Sequence, residues 1–169
     1  IYGRQTLNIV QNHPYRLCEV AGISFHTADK IAMSMGLSRC SPERVDQALL
    51  FTLSDAEGKG HLCMEKHHFI STCLQILETP ELTEEMLANR AARMLADGRL
   101  SSYLGFVYRE RTAWLEQHLA EKIFSQTAMK AAFPIVDVYR EMATEEARLK
   151  LRLASEQKAA IETALTQPL

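Results

Sequence analysis

The chain has 169 residues, 47% hydrophobic and 24% charged, enough for one compact domain or two small ones. A net charge of −2 and a pI near 6.3 exclude a strongly basic nucleic-acid module, so any nucleic-acid contact must come from local patches or backbone donors. No apolar run reaches the length of a membrane span, nothing resembles a secretory signal, and Cys18, Cys40, Cys63 and Cys73 form no CxxC, which together point to reduced thiols and a cytoplasmic location.

Residues 4–11 read as a short helix with Leu7 and Val10 on its apolar side. Pro14 to Glu19 make a second, with Pro14 at a first helical position where its missing N–H costs nothing. Val20-Ala21-Gly22-Ile23 is a tight glycine turn. The helix after it puts Ala28, Ile31, Ala32 and Met35 on one face and stops at Gly36. Helix, hairpin and helix thus occupy residues 14–35. N–H groups of the turn and of the following first helical turn lack intrahelical partners and converge, with the helix dipole adding partial positive charge. That arrangement suits a phosphate and grips a nucleic-acid backbone without reading bases. Gly22, Ser24, His26, Thr27 and Lys30 are the candidate contacts; an ordinary helical corner is the alternative.

Ser41-Pro42-Glu43 starts a helix with Val45, Ala48, Leu49, Thr52 and Ala56 on one face, ended by Gly58 and Gly60. His61 to Cys63 read as a short extended piece. A helix carrying Phe69, Ile70, Cys73 and Leu77 follows, up to Pro80. Thr83 caps a third helix, with Leu87, Ala91 and Met94 inward. After Asp97-Gly98, residues 99–109 alternate as a small β-hairpin. Three helices and a ribbon suggest a winged-helix-like unit. Its third helix would offer Arg90, Arg93 and, just beyond, Arg99 to DNA; a solvated packing face is the alternative. A long helix at about 110–131 carries Trp114, Leu115, Leu119 and Ile123, and Pro134 breaks the chain. Thr144 is expected to start a charged helix and Ser155 to cap the last.

Gly22-Ile23-Ser24-Phe25-His26-Thr27-Ala28-Asp29-Lys30-Ile31-Ala32, flanked by Asn12 to Leu17 and by Ser41 to Arg44, resembles the N-terminal helix-hairpin-helix region of RecD-like superfamily 1 DNA helicases. That family is often labelled exodeoxyribonuclease V alpha subunit. The resemblance implies helix-hairpin-helix units, then a helical region, then an ATPase core. Ser24 stands where the family usually has a second glycine, and His26 where it often has lysine. Serine is strained there if that position needs positive φ. Asp29 is expected in the first helical turn, where it would repel an incoming phosphate.

Leu153-x-x-Glu156-Gln157-x-x-Ala160-Ile161 is similar to the segment just upstream of the family's phosphate-binding loop, which implies that Gln157 contacts adenine in the parent protein. The loop itself, G-x-x-x-x-G-K-[ST], is absent, so these residues cannot hydrolyse ATP; ATP and magnesium are expected only in the parent. The chain reads as an excised fragment, mainly α. Residues 1–40 would be the helix-hairpin-helix unit, 41–109 the winged-helix-like unit, 110–143 connecting helices and 144–169 the start of the ATPase domain.

The expected role is a DNA-binding accessory region of a bacterial RecD-like ATP-dependent helicase or exonuclease subunit, serving DNA repair and recombination. Its expected partners are single-stranded or junction DNA, bound non-specifically, and the ATPase core of the same parent chain. The alternative is a structural or protein-interaction module. His61, Cys63, His67 and His68 match no structural-zinc spacing, and no nucleophile constellation is visible, so no metal or catalytic residue is expected. Glycosylases with a helix-hairpin-helix place an aspartate about where Asp46 stands, but no apolar base pocket accompanies it here.

Overall fold

The computed structural model describes residues 3–128 and 137–166. They fall into two compact units, residues 1–114 and 115–169. The expected break at Pro134, the last residues of the long helix at 129–131, and the chain end at 167–169 lie outside the described residues.

The first unit begins with a 3-10 turn, Gly3–Gln5, and α1, Thr6–Asn12. A 3-10 helix follows at Pro14–Glu19, then α2 at Phe25–Ser34. Gly36, at φ +80, closes α2: its N–H donates to the Met33 carbonyl and the Leu37 N–H to that of Ala32. This pair of bonds satisfies carbonyls the helix end leaves open, and it needs a left-handed residue at that position. Helix α3, Pro42–Gly58, starts where the sequence puts it, with the Ser41 hydroxyl accepting from the Arg44 N–H at 3.3 Å.

Strand β1 is Met64–Glu65, immediately after the extended piece expected at 61–63. Helix α4, Lys66–Leu77, is capped by the Glu65 carboxylate, which accepts from the N–H groups of His67 and His68. Those backbone bonds hold the Glu65 pKa below the usual carboxylate range. Helix α5, Glu84–Ala96, starts on Thr83. Strands β2, Leu100–Tyr103, and β3, Phe106–Arg109, form the expected hairpin. They do not stand alone: β1 adds to β3, Met64 opposite Val107, giving an antiparallel sheet of order β1-β3-β2. A two-stranded ribbon is marginal in water, and the third strand ties it to α4.

One apolar cluster holds these elements together. Tyr15 and Phe25 from the helix-hairpin-helix meet Leu49 of α3, Phe69 of α4, Leu87 of α5 and Val107 of β3. Tyr15, Phe69 and Leu87 are fully buried. Truncating such a side chain to alanine costs about 2–5 kcal/mol, because the removed atoms leave a cavity as well as lost transfer energy.

Helix α6, Glu110–Ala128, carries the chain across the division between the units. In the second unit α7 runs Val138–Leu149 and α8 runs Ser155–Thr166. The expected start of α7 at Thr144 is corrected: Asp137 caps it, accepting from the Arg140 N–H at 3.1 Å, and Thr144 sits mid-helix with its hydroxyl donating to the Arg140 carbonyl. Ser155 is likewise the first helical residue and not the cap. Ala154 holds the cap position, its carbonyl accepting from the Lys158 N–H and its own N–H donating to Gln157 Oε1. Among the described residues, no helix is long and apolar enough to cross a membrane.

Candidate functional site

The glycine turn is closed by the Ile23 N–H donating to the Val20 carbonyl at 3.1 Å, with Gly22 at φ +86. A four-residue turn with positive φ at its third position is the geometry glycine adopts without strain. A Cβ built on Gly22 meets nothing within 4 Å, so the outer side of the turn is open. Ser24 is the N-cap of α2 at φ −80, ψ 164. That is ordinary extended backbone, so the expected strain on serine is absent. Its hydroxyl makes no capping bond and lies 3.4 Å from the Thr27 hydroxyl. The N–H groups of Phe25 and His26, at the first two positions of α2, therefore receive no side-chain cap.

Asp29 does not face this opening. The expectation that it would sit in the first turn and repel a phosphate is corrected: α2 starts at Phe25, and the carboxylate turns inward. It accepts from Arg44 Nε at 2.8 Å, from Arg44 Nη2 at 2.9 Å and from the Tyr15 hydroxyl at 2.6 Å. Arg44 is 5% exposed and spends its remaining donors on the carbonyls of Arg39 and Leu77 and the hydroxyl of Thr79. Burial pushes the Asp29 carboxyl up, but the bonds from Arg44 and Tyr15 outweigh it and hold the pKa below the usual range. Burial, reinforced by the bond to Asp29, pushes the Tyr15 phenol well above its ordinary value. One guanidinium thus fixes α2, α3 and the end of α4 with respect to the turn. Nothing in the local sequence announces it.

Beside the turn lies a cleft of about 720 Å³. Gly22, Ile23 and Ser24 line it together with Leu50 and Phe51 of α3 and with Arg99. Arg109, which the sequence reading did not single out, joins it there. Its signal was the period of two along β3, which puts it on the same face as buried Val107. Phe51 stacks on Phe25 with ring centroids 5.6 Å apart, and His26 stands edge-on to Phe51 at 5.0 Å. Thr27 and Lys30 are exposed along α2.

The arginines expected on the winged unit separate. Arg99 lines the cleft with Gly22 and Ser24, while Arg90 and Arg93 line a second hollow with Cys40 and Met86. Arg90 and Arg99 are both bound by Asp46, whose side chain is only 7% exposed; Arg90 Nη2 is 2.7 Å from Oδ2, and Arg99 reaches the same oxygen. Two guanidiniums share the Asp46 carboxylate, and Asp97 acts on Arg90 as a second anion. The cluster also binds the aspartate on which a glycosylase reading depends. Arg109 pairs with Glu57 at 2.8 Å. Gln157 lies in the second unit, its side-chain oxygen committed to the start of α8. Among the described residues, no three His, Cys, Asp or Glu side chains gather as a metal-binding set.

Residues 1–63 match the family model described as the ATP-dependent RecD2 DNA helicase HHH domain. The match spans α1, the turn, α2 and α3, and it supports the resemblance of this region to the N-terminal helix-hairpin-helix region of RecD-like helicases.

Proposed function

We propose that the chain is a DNA-associated accessory region of a RecD-like ATP-dependent helicase, whose turn at Val20–Ile23 grips the phosphate backbone without reading sequence. The observation that carries this reading is the open turn itself, within a segment that matches a helicase helix-hairpin-helix domain. Gly22 lets a phosphate come close, and the uncapped N–H groups of Phe25 and His26 supply donors at the positive end of the α2 dipole. Thr27 adds a hydroxyl and Lys30 a cation on the exposed face. With Asp29 neutralised by Arg44, Lys30 is an exposed cation on α2 and Glu19 a carboxylate in the lining of the cleft.

The winged-helix-like reading of residues 41–109 belongs to the same proposal. What supports it is the order α3, β1, α4, α5 and the β2–β3 hairpin. In a parent helicase this region would position a strand for an ATP-driven motor. The chain carries no phosphate-binding loop, so ATP and magnesium would be held by other residues of such a parent. The test is a titration of the 169-residue chain against labelled oligonucleotides of several sequences. Lys30→Ala should weaken all of them to a similar extent, and an effect confined to one sequence would contradict backbone gripping.

A protein-interaction role is the second reading. It is favoured by α6, where Leu115, Leu119 and Ile123 recur every four residues and are each half or more exposed, beside an equally exposed Trp114. It predicts no DNA affinity.

A further inference from the structure

We propose that the cleft beside the glycine turn receives an unpaired nucleobase, so that the module prefers single-stranded DNA to duplex. This rests on the DNA reading above. A volume of about 720 Å³ is that of a small-ligand pocket, which admits a splayed nucleotide and not a base-paired duplex. Part of its lining is apolar and aromatic: Ile23, Leu50 and the half-buried Phe51. Backbone gripping alone requires none of these. A phosphate track would be lined by free cations, whereas here each of the two guanidiniums in the lining is held by a carboxylate of α3, Arg99 by Asp46 and Arg109 by Glu57.

Those carboxylates fix the planar groups in place, and a fixed guanidinium stacks on a base as readily as it meets a phosphate. Gln47 and Ser54 add an amide and a hydroxyl to the lining, the groups that bond base edges. Glu19 also lines the cleft and disfavours a second phosphate inside it. The arrangement that satisfies all of these is one nucleotide, its phosphate on the open turn at Gly22 and its base in the cleft among Ile23, Leu50 and Phe51. Because every base has a π-face, such a pocket tolerates sequence.

The experiment measures anisotropy with the 169-residue chain and three labelled ligands of one length: an oligothymidylate, the same strand with abasic interior sites, and a duplex. All three offer phosphates, and only the first offers unpaired bases along its interior. The oligothymidylate should bind roughly 5- to 150-fold more tightly than the other two, the range that stacking a base on an aromatic ring gives. Phe51→Leu, which keeps an apolar side chain under Phe25, should shrink that difference. Equal affinity for intact and abasic strands would overturn the base pocket and leave backbone gripping standing. Binding of none of the three would overturn both.

Discussion

Replacing Arg44 with methionine tests whether one buried guanidinium organises the helix-hairpin-helix. The change keeps an unbranched side chain of similar reach and deletes every donor. Asp29 loses its two bonds from Arg44, at 2.8 and 2.9 Å, and keeps only the Tyr15 hydroxyl. The Arg39 and Leu77 carbonyls and the Thr79 hydroxyl lose a partner at once. With side chains only 6% and 17% exposed, the pair belongs to the buried class, where removing one partner costs about 3–5 kcal/mol. For a unit of this size, with a urea m-value of ~2 kcal/mol/M, the unfolding midpoint should fall by about 2 M. The double variant Asp29→Leu/Arg44→Met removes the stranded carboxylate as well, so it should lose clearly less than the two single losses added together. A loss below about 1 kcal/mol in Arg44→Met, the range of exposed pairs, would refute the reasoning.

The same pair sets a pH dependence. The Asp29 pKa is lower in the folded chain than its ordinary value, so its contribution is present above about pH 4 and is lost as pH falls through the lowered value. Urea midpoints measured between pH 5 and pH 2 should therefore fall more steeply for the unaltered chain than for Asp29→Asn. Tyr15 is shifted upward, so its contribution is full below about pH 10 and fades above it; Tyr15→Phe should flatten that alkaline limb. Gly22→Val meets nothing within 4 Å of its Cβ, but it forces a branched residue to φ +86. Stability should drop by about 1–2 kcal/mol and DNA affinity with it, while Gly58→Ala, in a helix, should leave affinity unchanged. Burial pushes the Cys73 thiol up to about 12, so a thiol reagent at pH 8 should label exposed Cys40 readily and Cys73 only on unfolding.

Local chemistry made much of this fold legible. Ser41, Thr83 and Gly36 sit where a cap or a stop is needed, and the helices obey them. The third strand was harder to see, because Met64–Glu65 has too few residues to show a period and gains its identity only from pairing with β3. Thr144 misled because a threonine before two glutamates has the look of a helix start, whereas Asp137 had already capped the helix.

The site was legible in part. The turn announced itself through one glycine. Charge partners 15, 44 and 53 residues apart leave no local trace: Arg44 with Asp29, and Arg90 and Arg99 with Asp46. Asp29 therefore read as a repulsive charge when it is a partly buried anchor. Arg109 passed as a strand-end residue when it lines the cleft.

The most direct test of the account is the affinity of the 169-residue chain for a single-stranded oligonucleotide as salt is raised. Backbone gripping predicts a linear fall of log K with log salt, at a slope of about −0.7 for each phosphate neutralised, and the same slope for unrelated sequences. A chain that fails to bind at low salt would contradict it and leave protein interaction as the role of this region.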